Sequence, residues 1–203
     1  MPKQTYYNLD SKRREEIDRA CIEEFESKPL HKTSVKEICN SLDLSRAAFY
    51  KYFKSVEECY FYYLDEANFD AHRCLVNAIS KHDGNLLSAL EDLSEEVGKS
   101  LFESRNMGVL KSFFIHRNSA LEEGWKEYKE ENRKSECDFT SKNLNLKKTV
   151  IKDKKMLVSF MKVVTSVSHG IIRECFEEEW DRDKFEKEYN LRIGFLINGI
   201  RTK

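Results

Sequence analysis

Two capping boxes bracket the stretch that most constrains what this chain can fold into. Ser34-x-x-Glu37 opens one helix, with hydroxyl and carboxylate each satisfying an orphan amide of the first turn, and Ser55-x-x-Glu58 opens another. Between them, Thr33 to Lys54 predicts two short helices joined by a tight turn. Val35, Ile38 and Leu42 share a helical face, Asp43-Leu44-Ser45 breaks the run, and Ser45 is a good N-cap for the second helix. Phe49 and Phe53, four apart, plug a small core, so Arg46, Ala47, Tyr50 and Lys51 point outward.

That outward face carries the chemistry. It offers a guanidinium, an ammonium, the hydroxyls of Tyr50 and Tyr52, and two small residues, Ala47 and Ala48, that permit close backbone approach. Cations and hydroxyls bind phosphate oxygens, and arginine also forks onto a guanine edge. From Lys28 to Lys54 there are six Lys or Arg against two acids, Glu37 and Asp43, in a chain whose net charge is -1. Charge is therefore concentrated where a nucleic-acid face requires it.

These residues resemble the helix-turn-helix of the tetracycline-repressor (TetR) family. The match runs from Ser34-Val35-Lys36-Glu37-Ile38-Cys39 through Leu44-Ser45-Arg46-Ala47-Ala48-Phe49-Tyr50-Lys51-Tyr52-Phe53-Lys54-Ser55, about the first quarter of the chain. Its most specific part is the Tyr-x-x-Phe end, Tyr50 to Phe53. Three positions depart from the family pattern: Asp43 stands for a turn glycine, Ala48 for a threonine and Val56 for a phosphate-capping lysine. Aspartate tolerates a left-handed turn, so the first departure is mild; the other two remove expected DNA contacts.

Only seven Gly and two Pro punctuate 203 residues, and 35% are charged, which favours an all-α protein. A near-zero net charge argues against a general polyanion binder and for a site-specific one with a single basic face. The six cysteines (Cys21, Cys39, Cys59, Cys74, Cys137, Cys175) form no Cys-x-x-Cys and have no His at metal spacing, so buried thiols and no metal are expected. Cys39, near Lys36, is the one with a cationic setting. Met1 to Lys12 lacks the apolar run of a secretion signal. Met156 to Ile172 is interrupted by Lys162, Ser166, Ser168 and His169, so no membrane-spanning run and a cytoplasmic location are expected.

In chain order, Met1 to Leu9 reads as an arm, more a disordered tail than a groove binder. Asp10 or Ser11 caps a first helix to about Ser27, with Ile17, Ala20, Cys21 and Phe25 as its apolar stripe. Lys12, Arg13 and Arg14 read as a solvated face. A connector helix runs from Ser55 towards His82 and ends at Asp83-Gly84-Asn85. Amphipathic helices cover Leu86 to Glu103, Met107 to Asn118 and Leu121 to Glu131. Arg133 to Asn145 reads as a helix end and loop. Two long helices close the chain, from Thr149 to about Glu178 and from Trp180-Asp181 onward, with apolar residues on more than one face.

The resemblance implies an all-α fold: a three-helix DNA-binding head over residues 1–55 and a helical effector-binding and dimerisation domain over 56–203. The DNA contacts it assigns are Thr33, Ser34, Lys36, Ser45, Arg46, Ala47, Ala48, Tyr50, Lys51, Tyr52 and Lys54. Its effector pocket draws on Phe69, His72, Phe102, Phe113, Phe114, His116, Trp125 and Tyr128, large aromatics with a few polar groups. It implies a homodimer through the last two helices, an unidentified small-molecule effector, no further cofactor, and repression of a palindromic operator. A helical adaptor that lost specific DNA binding is the alternative that Ala48 and Val56 leave open. A small helical enzyme is the other, although His31, His72, His82, His116 and His169 are isolated and no catalytic motif is present.

Overall fold

The computed structural model describes residues 1–132 and 144–202, apart from the side chains of residues 68–72. Among the described residues there are eleven α-helices: α1 (Gln4–Tyr7), α2 (Ser11–Ser27), α3 (Val35–Ser41), α4 (Arg46–Tyr52), α5 (Val56–Lys81), α6 (Leu86–Glu91), α7 (Leu93–Glu103), α8 (Met107–Ile115), α9 (Ser119–Asn132), α10 (Lys154–Glu177) and α11 (Arg182–Ile200). A 3-10 turn, Leu30–Lys32, precedes α3. The all-α class expected from the sequence is what the chain adopts. It divides into two compact units, Met1–Asn68 with Arg105–Lys134 and Phe69–Ser104 with Ser135–Lys203.

In the first unit the local signals act as read. The Asp10 side chain accepts from the Arg13 amide at 2.9 Å and starts α2, which buries Ile17, Ala20, Cys21 and Phe25. Phe25 meets Tyr60 of α5 edge-on at 5.2 Å between ring centroids. Helices α8 and α9 also belong to this unit, and α8 lies close on α2 at Gly108. A Cβ there would stand 2.7 Å from the Glu26 Cβ, so any larger residue pushes the helices apart.

The arm is the main correction here. Instead of a disordered tail it forms α1, and Tyr6 is 1% exposed. The reason is a polar partner that the sequence does not advertise. Asp18, itself buried, accepts from the Tyr6 hydroxyl, accepts from Tyr63 at 2.8 Å and pairs with Arg105 at 3.3 Å. Arg13 likewise departs from a purely solvated face, donating to Glu16 at 2.8 Å and to the Leu42 carbonyl at 3.4 Å.

In the second unit, α11 packs on α10, α7 and α6, burying Phe185, Tyr189, Ile193 and Ile197. The Tyr189 hydroxyl meets Ser168 at 2.9 Å, and Arg192 holds Glu174 at 2.6 Å. The single amphipathic helix expected over Leu86 to Glu103 is two, separated at Asp92. The Asp92 carboxylate turns to His82 at 2.8 Å and Lys81 at 3.4 Å, and the His82 hydrogen bond holds it below the usual carboxylate range. Helix α8 stops at Ile115 because Asn118 caps α9, accepting from the Leu121 amide at 3.0 Å. The stretch from Thr149 becomes helical only at Lys154, where Asp153 accepts from Met156.

Helix α10 holds an apolar stretch of a kind that core helices of soluble proteins share. By length and composition it is apolar enough to span a bilayer, with a mean hydropathy of 1.2 over its best 18-residue window, of which only 28% is buried. Beside its buried stripe it exposes Met156, Val158 and Val163. Most of the Arg133 to Asn145 loop, with Cys137, lies outside the described residues.

Candidate nucleic-acid interface

Helix α3 begins at Ser34, whose hydroxyl lies 2.8 Å from Glu37 Oε2 and accepts from the Glu37 amide at 3.4 Å. Lys28 bridges Glu24 at 2.7 Å and Glu37 at 2.8 Å, and that ammonium holds the Glu37 carboxyl below its ordinary range. One of the six basic residues is therefore spent inside the head. The turn after α3 places Asp43 at φ 48°, the left-handed conformation where the family pattern has glycine. Asp43→Gly is expected to stabilise the chain by about 0.5–1 kcal/mol, read as a shift of the urea midpoint. A loss of stability would mean that the aspartate side chain supports the turn.

Ser45 caps α4 by accepting from the Ala48 amide at 3.1 Å. Phe49 and Phe53 are fully buried with ring centroids 5.4 Å apart, and they fix which side of α4 faces out. On that side Arg46, Ala47, Tyr50 and Lys51 are exposed, while Ala48 and Tyr52 are half-buried. Lys36 and Lys54 are exposed at the flanks, Ser45 at the cap, and Thr33 and Ser34 are half-buried. The second box is offset: Ser55 caps the Glu58 amide at 3.1 Å, but Glu58 reaches back to the Lys54 amide at 2.6 Å.

What sequence reasoning missed is how α4 is held from behind. A helix end leaves carbonyls without partners. Here α1 supplies them: the Lys3 amide donates to the Tyr52 carbonyl at 2.8 Å, Lys3 Nζ to the Tyr50 carbonyl at 2.7 Å, and the Thr5 hydroxyl to the Lys51 carbonyl. The Lys3 ammonium also complements the helix C-terminus. It is engaged on α4 rather than offered to a groove. Lys32, in the turn before α3, is a further exposed cation. Among the described residues, Lys32, Lys36, Arg46, Lys51 and Lys54 make no ion pair, so five positive charges of the head stand uncompensated.

The cysteines stay out of this chemistry. Cys21, Cys39, Cys59, Cys74 and Cys175 are buried. Burial pushes the Cys39 thiol up, and the cation that opposes this is Arg46, not Lys36. Cys59 lies 3.7 Å from Cys21 and its thiol is pushed up by burial as well.

The aromatics nominated for an effector pocket fall in both units. Phe102 belongs to the second unit, against Phe185 at 6.0 Å. In the first unit Phe113 and Phe114 are buried, His116 is exposed, and Trp125 stacks on Tyr128 at 5.8 Å and 12°. The side chains of Phe69 and His72 lie outside the described residues.

A basic, exposed helix seated on a capped helix-turn and a buried aromatic plug defines a helix-turn-helix DNA-binding regulator. Residues 17–63 match the family described as bacterial regulatory proteins, tetR family, and residues 86–199 match the tetracyclin repressor C-terminal domain. The chain belongs to the tetracycline-repressor family. Its fold is similar to that of a TetR family transcriptional regulator from Chloroflexus aurantiacus J-10-FL, with a TM-score of 0.52 at 13% identity over 100% of both chains. A TetR transcriptional regulator from Rhodococcus sp. RHA1 aligns with a TM-score of 0.37 at 13% identity, over 91% of this chain and 94% of that one. No curated protein matches the chain.

Proposed function

We propose that the protein is a dimeric, ligand-responsive repressor that binds a palindromic operator, each α4 entering a major groove. Two heads then engage half-sites about one helical turn apart or slightly more. The observation that carries this is the set of five exposed, unpaired cations around a helix rigidly held from behind. Arg46, at the N-terminal end of α4, reads a guanine edge, and Ala47 and Ala48 admit the close approach. Lys51 serves base or phosphate. Tyr50, Tyr52, Thr33, Ser34, Lys36, Ser45 and Lys54 clamp backbone phosphates.

Duplex binding measured across a salt series tests the assignment. Affinity falls steeply with salt, and Lys54→Ala weakens all sequences alike while lowering the salt slope by about 1. Arg46→Ala costs about 1–3 kcal/mol on the operator and relaxes base preference at its position. A flat salt response, or an Arg46→Ala variant with unchanged selectivity, sinks this reading.

The second copy covers the apolar surface of α10 and α11. Val158, Val163, Leu191 and Phe195 are exposed, Phe195 by 67%, and Gly170, Gly194 and Gly199 face open space, which favours close helix contact. A double Leu191→Glu and Phe195→Glu substitution should convert a sedimenting dimer to monomer and remove operator binding at nanomolar protein. Effector binding acts by stabilising one head arrangement over another, which requires different affinities for the two.

A further inference from the structure

In the first unit a cavity of about 480 Å³ opens between the 3-10 turn, the start of α5 and α9. That volume lies within the roughly 300–1,000 Å³ range of small-molecule sites. We propose that this cavity is the effector site and that it takes a small organic cation with a flat aromatic body. The proposal rests on the ligand-responsive reading above and names the ligand class and the place where it acts.

One wall is a platform of rings. Gly124 of α9 lets that helix close on α5, since a Cβ there would stand 3.0 Å from Phe61 Cζ. Phe61 lies 5.8 Å from Tyr128 and 5.9 Å from Trp125, and Trp125 stacks on Tyr128. Phe61 and Tyr128 line the cavity, and Trp125 is stacked on Tyr128. Aromatic faces attract cations, and the Trp125 ring already carries one, Lys129 Nζ at 5.3 Å from its centroid.

The other wall is acidic. Glu57 and Glu58 reach it from α5, and Glu127 and Glu131 from α9, against one lysine, Lys54. Glu58 is engaged, by the Lys54 amide at 2.6 Å and the Met1 nitrogen at 3.2 Å. Among the described residues Glu57, Glu127 and Glu131 make no ion pair. Three uncompensated carboxylates beside a ring platform select a positive ligand over a neutral or anionic one of equal shape. The cavity's edge includes Lys54 and Ser55, the turn that comes after α4. An occupant therefore sits directly beside the DNA clamp, and its binding is coupled to that of the operator.

The test uses three probes of one shape, N-methylquinolinium, 1-methylnaphthalene and 1-naphthoate, titrated calorimetrically into the full chain. The cation should bind at least ten-fold more tightly than the other two. Glu127→Gln with Glu131→Gln should erase that preference, and Tyr128→Leu, which keeps the carboxylates, should weaken the cation at least three-fold. Equal affinity for all three probes, no binding of the cation, or a folded double variant that keeps the preference overturns the proposal. Operator affinity is measured in parallel with saturating N-methylquinolinium. Selective binding without any change in operator affinity leaves the cation site standing and removes ligand response, while ligand response to other compounds without cation binding does the reverse.

Discussion

Phe53→Ala should lower the stability of the chain by about 3–5 kcal/mol, the range for deleting a buried ring that its neighbours cannot replace. Phe53 is fully buried where α4 gives way to extended backbone, and its ring lies 5.3 Å from Tyr6, 5.4 Å from Phe49 and 6.4 Å from Tyr63. Those three rings come from α1, α4 and α5, each fixed by its own backbone, so collapse into the space is limited. The measurement is urea unfolding, with Phe53→Leu as the partner variant that keeps most of the volume and loses much less. A Phe53→Ala protein within about 1 kcal/mol of the parent would mean that the ring cluster does not anchor the recognition helix.

Asp18→Ala is expected to cost about 2–5 kcal/mol, for a different reason. It removes the acceptor that two buried tyrosine hydroxyls, Tyr6 and Tyr63, share. The Arg105 pair contributes little to this sum, because the guanidinium is 62% exposed and screened by water. Tyr6→Phe, which removes one hydroxyl and keeps the ring, should cost only about 1 kcal/mol. The larger consequence is functional. Tyr6 is the buried residue of α1, and α1 caps the carbonyls of Tyr50, Lys51 and Tyr52. Asp18→Ala should therefore weaken operator binding without touching an exposed cation, and hydrogen exchange in α4 should quicken. Unchanged exchange there would show that α4 needs no support from α1.

Much of the head was legible because its signals are local. A serine three residues before a glutamate, an aspartate ahead of an apolar stripe and two phenylalanines four apart act through neighbours in sequence, and Ser34, Ser45, Ser55 and Asp10 all cap as read. Asp43 at a left-handed turn is of the same kind. The candidate cavity was only partly legible. His116 and Tyr128 line it, yet Phe61 and Gly124 were not singled out, and Phe102 belongs to the other unit. Aromatic composition names residues able to line a site but not which of them meet.

The sequence by itself determined the helical class, the starts of α2 to α5, the inward and outward sides of α4 and the concentration of positive charge on one segment. All of these arise from periodicity, capping and charge within a few turns of chain. Only the tertiary structure decided that a polar arm is a structural helix, that Asp18 is a buried acceptor, and that carboxylates of α5 and α9 share a wall. Those outcomes depend on partners 12, 45 and 87 residues apart. A buried polar group is stable only where distant segments bring it donors, and no window of sequence contains that information.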